Sequence, residues 1–171
     1  MTMQISGHER SMGVDEIIVS KTNSKGHLTY VNDVFLNISD FTIDDLLGHP
    51  HAIVRNDAMP RCIFKLLWET IQSGQEIFAY VVNKTKFGEH YWVFAHVTPS
   101  HDEQGNITGY HSNRRKPSAA AVAAIGQLYE RLLQVEQTPK SRKTGLQESY
   151  DLLMTILQER GQSYDEFVLS L

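Results

Sequence analysis

Cysteine, proline and long apolar runs are all scarce in this sequence of 171 residues. The single cysteine, Cys62, excludes an internal disulfide and is typical of a reducing compartment, so we expect a cytoplasmic protein. No apolar run approaches the roughly 18 residues that a membrane-spanning helix needs. Residues 1–15 contain no apolar segment like that of a secretory signal peptide, so a signal peptide is not expected.

The chain also lacks an excess of charge of one sign. It has 16 Lys and Arg against 20 Asp and Glu, which gives a formal net charge of −4. This balance provides no general attraction to nucleic acid or to an anionic membrane, so neither is expected as a partner. A P-loop, a nucleophile elbow, a dinucleotide-binding glycine motif and a kinase signature are absent as well, and no enzymatic activity is predicted.

Five segments before residue 116 have the pattern of β-strands. Two segments rich in β-branched residues, 16–22 and 27–31, flank turn residues that end at Gly26, which predicts a hairpin. Three longer apolar segments separated by turns predict an antiparallel meander. These segments are 77–84, 90–99 and 107–114.

Helical patterns fill the space between the hairpin and the meander. Residues 32–39 and 42–47 predict two short helices. A capping box of Thr42 and Asp45 opens the second one. A longer helix is predicted after Pro60, with one apolar stripe along its length. The stripe consists of Ile63, Phe64, Leu67, Trp68 and Ile71.

The composition changes after residue 116. Residues 118–137 carry alanine and leucine at helical spacing and predict an amphipathic helix. We interpret 138–144 as a basic linker and predict two more helices at 146–159 and 163–171. Short helices of this kind are not stable alone, so they must pack on the sheet, on the preceding helix or on a second subunit. The predicted parts are an N-terminal cap at 1–15, a main domain at 16–116 and a helical extension at 117–171.

The order of these elements resembles that of a PAS domain, and residues 20–116 are similar to the PAS sensor of bacterial aerotaxis receptors. The resemblance rests on many short stretches in the same order. They include Tyr30-Val-Asn-Asp, Leu47-Gly-His-Pro-His51, Val54-Arg55, Met59-Pro60 and His90-Tyr-Trp-Val93. The resemblance implies an α+β fold with a five-stranded antiparallel sheet, short helices on one face and additional C-terminal helices.

The aerotaxis resemblance implies that the chain binds FAD without covalent attachment and reports its redox state to a chemotaxis signalling module. Asn83 lies on a strand whose face we expect to point into the pocket. An amide there can both donate to and accept from the edge of the isoalloxazine ring. Flavin-binding PAS domains often carry an Asn at the corresponding position. The structural alternative for Asn83 is that it caps the hairpin turn.

Arg55 matches the arginine of an Arg-His-Pro-Asp run that helps to hold the cofactor in these receptors. Here the run reads Arg55-Asn56-Asp57-Ala58, and the missing His leaves a different ligand or an altered redox potential open. A guanidinium suits flavin phosphates or ring carbonyls, and an ion pair with Asp57 is the alternative. His51 lies in a matching stretch and Asn56 stands where the family's run has His, and both are added as candidate cofactor contacts.

Four further residues complete the predicted cofactor site. They are Trp68, Asn32, Tyr91 and Val93. For Trp68 we expect a core contact with one edge near the pocket, and stacking on a flavin is the alternative. Asn32 is expected to cap the first short helix, and in the family this position also lies near the pocket.

Alternation along the strand at 90–99 separates a pocket face from an outer face. The pocket set is Tyr91, Val93 and Ala95, and the outer set is Trp92, Phe94 and His96. The outer face is where PAS domains dimerise or receive flanking helices, so we expect a homodimer through this face or through the helices. A signalling partner protein or a separate output domain is expected to receive the signal.

Eight histidines leave haem open as an alternative cofactor. One axial ligand would suffice, and the candidates are His49, His51 and His111. Each of these could equally be an ordinary surface or hydrogen-bonded histidine. No Cys/His group has the spacing of a zinc site, so no metal site is predicted. A small metabolite, or a pocket filled by the protein's own side chains in a pure interaction module, remains a third alternative.

Overall fold

The computed structural model describes residues 5, 7–138 and 141–171, and its centre is one antiparallel sheet. Its five strands are β1 Ile18–Asn23, β2 Leu28–Val31, β3 Ile77–Lys84, β4 His90–His101 and β5 Ile107–Arg115. Their order across the sheet is β2-β1-β5-β4-β3, so the first hairpin joins the meander through the pairing of β1 with β5. The strands β2 and β3 form the two edges.

Helices lie between the hairpin and the meander, and further helices follow the meander. In the described part of the chain they are α1 Asp33–Ser39, α2 Ile43–Leu46, α3 Arg61–Gln72, α4 Ala119–Gln137, α5 Arg142–Arg160 and α6 Tyr164–Leu169. A 3₁₀ turn at His51–Val54 connects α2 to the loop before α3. The predicted α+β class with a five-stranded antiparallel sheet is confirmed.

Local capping signals in the sequence explain where several helices begin. Thr42 and Asp45 form the predicted capping box of α2, with Asp in place of the more usual Glu or Gln. Ser163 and Glu166 form the corresponding box of α6. Asn32 caps α1, as predicted. These starts depend on neighbours in sequence and therefore follow from the sequence.

The start of α5 was predicted wrongly. The basic composition predicts a linker up to residue 144, whereas α5 already begins at Arg142, with Ser141 as its N-cap. The Ser141 hydroxyl accepts from the Thr144 N–H and so starts the helix locally, and packing against α4 supports its first turn. A Cβ atom at Gly145 would lie only 2.1 Å from the carbonyl oxygen of Glu136, so the two helices touch closely at this glycine. Residues 139 and 140 of the predicted linker lie outside the described residues.

The N-terminal segment packs along the β3–β4 hairpin. The Arg10 N–H donates to the His90 carbonyl at 2.7 Å. The Arg10 guanidinium forms ion pairs with Asp40 and, at 3.3 Å, with Glu89. Residues 1–4 and 6 of the predicted cap lie outside the described residues.

The core lies between the inner face of the sheet and the helices α1–α3. Strand register sets which side chains face it: Asn83 pairs with Tyr91, and Ala95 pairs with Arg114. Fully buried apolar residues from several elements fill this layer. They include Ile18, Leu28, Phe35, Leu46, Val54, Ile63, Ile71, Ala79 and Val93.

The helical extension packs on the β3 edge of the sheet and along α3. Tyr129 of α4 and Asp165 of α6 hydrogen-bond to the backbone of β3. Tyr129 is also stacked with Trp92 of β4, with ring centroids 6.3 Å apart. The extension therefore contacts both the sheet and α3 within one chain. None of the helices in the described residues is long and apolar enough to cross a membrane.

Candidate functional site

A cavity of about 180 Å³ lies between the inner face of the sheet and α3. A buried water needs roughly 10–15 Å³, so this space can take a ligand with fused rings. Its lining comes from the β1–β2 turn, the 3₁₀ turn, α3 and four strands. The lining includes Ser20, Thr22, Lys25, Gly26, His51, Val54, Arg55, Phe64, Leu67, Trp68, Ile71, Val81, Asn83, Ala95, Val97, Tyr110, Ser112 and Arg114.

Aromatic side chains form much of the apolar wall. The rings of Trp68 and Tyr110 meet edge to face, with centroids 5.5 Å apart and an interplanar angle of 85°. The guanidinium of Arg55 lies over the ring of Phe64, 3.9 Å from its centroid. An isolated antiparallel bridge pairs the backbone of Arg55 with that of Asn83, which brings both side chains to the cavity.

Arg114 is the most unusual residue of the cavity. Its side chain is only 2% exposed, yet no carboxylate of the described residues forms an ion pair with it. Its Nη2 donates to Ser20 Oγ, and its guanidinium lies 4.7 Å from the centroid of the Phe35 ring. The Nε and Nη1 groups have no hydrogen-bond partner. Burial lowers the pKa of Arg114 to about 10, so it stays positively charged at neutral pH.

Three uncharged side chains also have a buried polar group without a hydrogen-bond partner. Asn83 Nδ2, Tyr91 Oη and Thr22 Oγ1 are buried without one. Burial raises the pKa of Tyr91, so its hydroxyl stays protonated at neutral pH. Buried polar groups are almost always hydrogen-bonded in folded proteins, and each exception calls for a cause.

His51 contributes a neutral imidazole to the cavity. Its Nε2 lies 3.4 Å from Ser20 Oγ, and its ring is 6.0 Å from that of Phe35. Burial and, to a smaller extent, the nearby positive charge of Arg114 lower the pKa of His51 to about 3. At neutral pH its ring therefore offers one donor and one acceptor nitrogen.

The electrostatics of the cavity favour a ligand that accepts hydrogen bonds. Lys25, Arg55 and Arg114 line it, and the lining contains neither Asp nor Glu. Unpaired buried donors carry a desolvation penalty that a ligand with acceptor atoms would remove. The arrangement can thus bind a planar ligand through its acceptor edge.

Half of the predicted cofactor residues line the cavity. They are Asn83, Arg55, Trp68 and His51. Asn83 lies on the cavity wall, and its amide nitrogen has no hydrogen-bond partner. Arg55 stacks on Phe64 and forms no ion pair with Asp57.

The other predicted residues are not part of the cavity lining. Tyr91 and Val93 are on the same face of β4 as Ala95 but are packed in the core, at 1% and 0% exposure. The Asn32 amide accepts from the Val19 N–H and donates to the Ile17 carbonyl. Asn56 Oδ1 accepts from the Ala58 N–H. Both asparagines therefore use their amides to hold local backbone.

The outer set of β4 lies on the opposite face, as the alternation predicts. Trp92 stacks with Tyr129 of α4. The Phe94 ring lies 4.7 Å from that of Tyr80. The His96 ring is stacked with that of Phe78 at 4.2 Å, and its Nε2 lies 2.6 Å from a Glu76 oxygen.

Sequence reasoning missed Arg114 as a site residue. The available signal was alternation along β5, since Tyr110, Ser112 and Arg114 share one face. A charged residue at an inward position is rare without a purpose. Of the histidines considered for haem, His51 lines the cavity, whereas His49 and His111 are not among its lining residues.

A five-stranded antiparallel sheet packed against helices around a lined cavity is the architecture of a PAS domain. The chain belongs to the PAS domain family, whose family model matches residues 15–112. It is 36% identical over 118 residues to the aerotaxis receptor of Escherichia coli, which confirms the predicted resemblance. It is 24% identical over 104 residues to the nitrogen fixation regulatory protein of Klebsiella pneumoniae.

These matches cover much of this chain and little of the relatives. The aerotaxis receptor match covers 69% of the chain and 23% of the receptor, and the nitrogen regulator match covers 61% of the chain and 21% of that protein. The light-state structure of the blue-light photoreceptor Aureochrome1 LOV superposes with a TM-score of 0.57 at 20% identity. That superposition covers 67% of the chain and 91% of the LOV chain, and it shows the shared fold.

Proposed function

We propose that this PAS sensor module binds FAD non-covalently and reports redox or oxygen state to a chemotaxis-type output, with no catalytic role of its own. The observation that carries the proposal is that two buried residues of one aromatic-walled cavity, Arg114 and Asn83, have N–H groups without hydrogen-bond partners. The likeness to an aerotaxis receptor supports the same assignment.

The residues present fit the flavin ring. One edge of an isoalloxazine carries carbonyl oxygens and ring nitrogens that accept hydrogen bonds, and the free donors of Arg114 and Asn83 match such an edge. Trp68 and Tyr110 provide aromatic surface for the ring. When bound, FAD supplies a group that reversibly takes up electrons and protons.

The chain's own residues would make the site sensitive to the charge of its ligand. Arg114 holds a fixed positive charge in the cavity, whereas the Asn83 amide can present either its nitrogen as a donor or its oxygen as an acceptor. A ligand shifts a conformational equilibrium only through contacts that differ between its states. Arg114 and Asn83 are the residues on which such differences would act.

An absorbance spectrum of the freshly purified chain tests the proposal. We expect flavin bands in the visible range that bleach with dithionite and recover in air. The Arg114→Met variant should lose them, and Arg115→Met, which changes the exposed neighbour, should keep them. A colourless chain that does not take up added FAD would refute the proposal. A Soret band would instead support haem, with His51→Ala as the variant that removes it.

A homodimer, a signalling partner and a cytoplasmic location complete the proposal. The half-buried rings of Phe78, Phe94 and His96 on the outer sheet face support a dimer through that face. The free Cys62 supports a reducing compartment. Light scattering across a range of concentrations measures the oligomeric state, and a strictly monomeric chain would contradict the dimer.

A further inference from the structure

The helix α3, which forms one wall of the cavity, lacks a capping side chain from its own segment. Pro60 occupies its N-cap position and makes no side-chain hydrogen bond. The first turn of a helix presents backbone N–H groups that need acceptors. The Arg61 N–H donates to the carboxylate of Glu136 at 2.9 Å, and Glu136 belongs to α4, 75 positions further along the chain.

Glu136 joins three helices at this point. It is 7% exposed and accepts from Arg61 Nε at 2.7 Å as well as from the Arg61 N–H. Ser149 Oγ of α5 donates to the same carboxylate at 3.2 Å. A negative charge at the start of α3 also interacts favourably with the helix dipole. A buried carboxylate with this many partners holds its neighbours in one geometry.

The opposite wall of the cavity is tied to the same helices. The Tyr129 hydroxyl of α4 donates to the Tyr80 carbonyl at 2.6 Å, and the Phe78 N–H donates to Asp165 of α6 at 2.9 Å. Both acceptor and donor belong to β3, which also brings Val81 and Asn83 to the cavity. The helical extension thus holds α3 at its first turn and β3 at its edge.

We propose that Glu136 is a positioning residue of the cavity. It fixes the first turn of α3 to α4 and α5, and through α3 it sets the positions of Phe64 and Trp68 in the cavity wall. Coupling between two parts of a protein is reciprocal, so a change in the cavity wall also changes how firmly α4–α6 are held. This role concerns the part of the cavity wall that α3 forms, and it does not depend on which ligand binds. Only the transmission of the flavin's redox state to α4–α6 rests on the proposed function.

Hydrogen exchange of the full chain without added ligand tests this role. Glu136→Gln keeps the side-chain size and removes the charge, and it should speed exchange of the first α3 turn and of α4–α6 by about tenfold. The β1–β2 hairpin should keep its exchange rates. Glu159→Gln, at an exposed position on α5, is the matched control and should change neither region. Unchanged exchange in α3 would overturn the proposal.

The fluorescence emission of Trp68 in the folded protein gives a second measurement. A loss of overall stability alone would not change this emission. The chain has two tryptophans, so Trp92→Phe leaves Trp68 as the reporter of the wall. In that background Glu136→Gln should shift the Trp68 emission of the folded protein, and Glu136→Asp should partly restore it. If Glu136→Gln does not fold, Ser149→Ala should give the same shift on a smaller scale. An unchanged emission would contradict the role of Glu136, whereas absence of flavin absorbance would contradict only the proposed function.

Discussion

Arg114 carries a positive charge into the interior without a carboxylate to balance it. A buried charge without an ion-pair partner has a desolvation cost that nothing in the protein fully offsets. We therefore expect Arg114→Met to raise the free energy of unfolding of the ligand-free chain. Its affinity for FAD should fall at least roughly tenfold, because a hydrogen bond to a charged donor is lost. Urea denaturation and flavin fluorescence titration measure the two effects.

The control for Arg114 is the next residue along the strand. Arg115 is exposed, so Arg115→Met should leave both stability and affinity close to those of the wild type. A ligand-free Arg114→Met chain that is less stable than the wild type would show that the guanidinium already has adequate partners in the protein.

His51 gives the folded chain a specific dependence on pH. Its pKa is lowered from 6.5 to about 3, so below pH 6.5 the unfolded chain takes up a proton that the folded chain does not. The stabilising difference is complete above pH 6.5 and is lost as pH falls towards 3. We expect the wild type to lose roughly 1–2 kcal/mol of unfolding free energy from this group between pH 7 and pH 5.

Urea denaturation at several pH values checks this expectation. His51→Gln should flatten the decline below pH 6.5 because no imidazole remains to titrate at that position. His49→Gln is the matched control, since His49 is exposed and only two residues away. Equal slopes for the wild type and His51→Gln would show that His51 is protonated in the folded chain.

Part of the site could be predicted residue by residue, and part could not. Asn83 and Arg55 were found through their resemblance to a known motif, and both line the cavity. Arg114 was missed because its sequence neighbours, Arg115 and Lys116, make it look like part of a solvated basic end of a strand. Asn32 was placed at the site, yet its amide is fully used in holding β1 and α1. The helix cap that Asn32 forms with the Phe35 N–H was predictable from the sequence, whereas its bonds to Ile17 and Val19 and the burial of Arg114 were not.

Among the elements, the β1–β2 turn controls the position of Trp68. Gly26 has φ +80°, and a Cβ atom there would lie 2.7 Å from the Trp68 ring. We expect Gly26→Ala to destabilise the chain by about 1–2 kcal/mol and to disturb the cavity wall. Thermal unfolding and the near-ultraviolet circular dichroism of the tryptophans measure these effects.

Gly105 is the matched control for the turn. It has φ +83° in the β4–β5 turn, and a Cβ atom there would meet nothing within 4 Å. Gly105→Ala therefore carries the same backbone strain without the clash with Trp68. The difference in unfolding free energy between the two variants gives the cost of the clash with the Trp68 ring. Equal losses of stability would show that Trp68 moves aside freely.

Elements whose ends are set locally were predictable, and those set by tertiary contacts were not. The capping boxes at Thr42 and Ser163 fixed the starts of α2 and α6 within the sequence itself. The start of α5 combines a local cap at Ser141 with the close approach of Gly145 to Glu136, and only the second depends on another helix. The first turn of α3 depends in the same way on an acceptor from a distant helix.

At the scale of the whole molecule, several hydrogen bonds join the two parts of the chain that the predicted boundary between residues 116 and 117 separates. The helices beyond it supply Glu136 to α3 and both Tyr129 and Asp165 to β3. A strand at the edge of a sheet with unpaired backbone groups is a template for association with other chains. The helical extension therefore protects an edge as well as covering apolar surface.

Truncation after residue 116 tests whether the main domain is independent of the extension. We expect the shortened chain to lose more stability than the roughly 1 kcal/mol typical of a single substitution, because buried Leu132, Leu153 and Phe167 disappear together with the edge contacts. It should also self-associate, because the Phe78 N–H and the Tyr80 carbonyl lose their partners. Thermal unfolding and light scattering measure both effects.

Adding Phe78→Pro to the shortened chain should reduce the association, since proline removes the exposed donor. A shortened chain with the melting temperature of the full chain and the mass of a monomer would show that the edge strand β3 needs no cover.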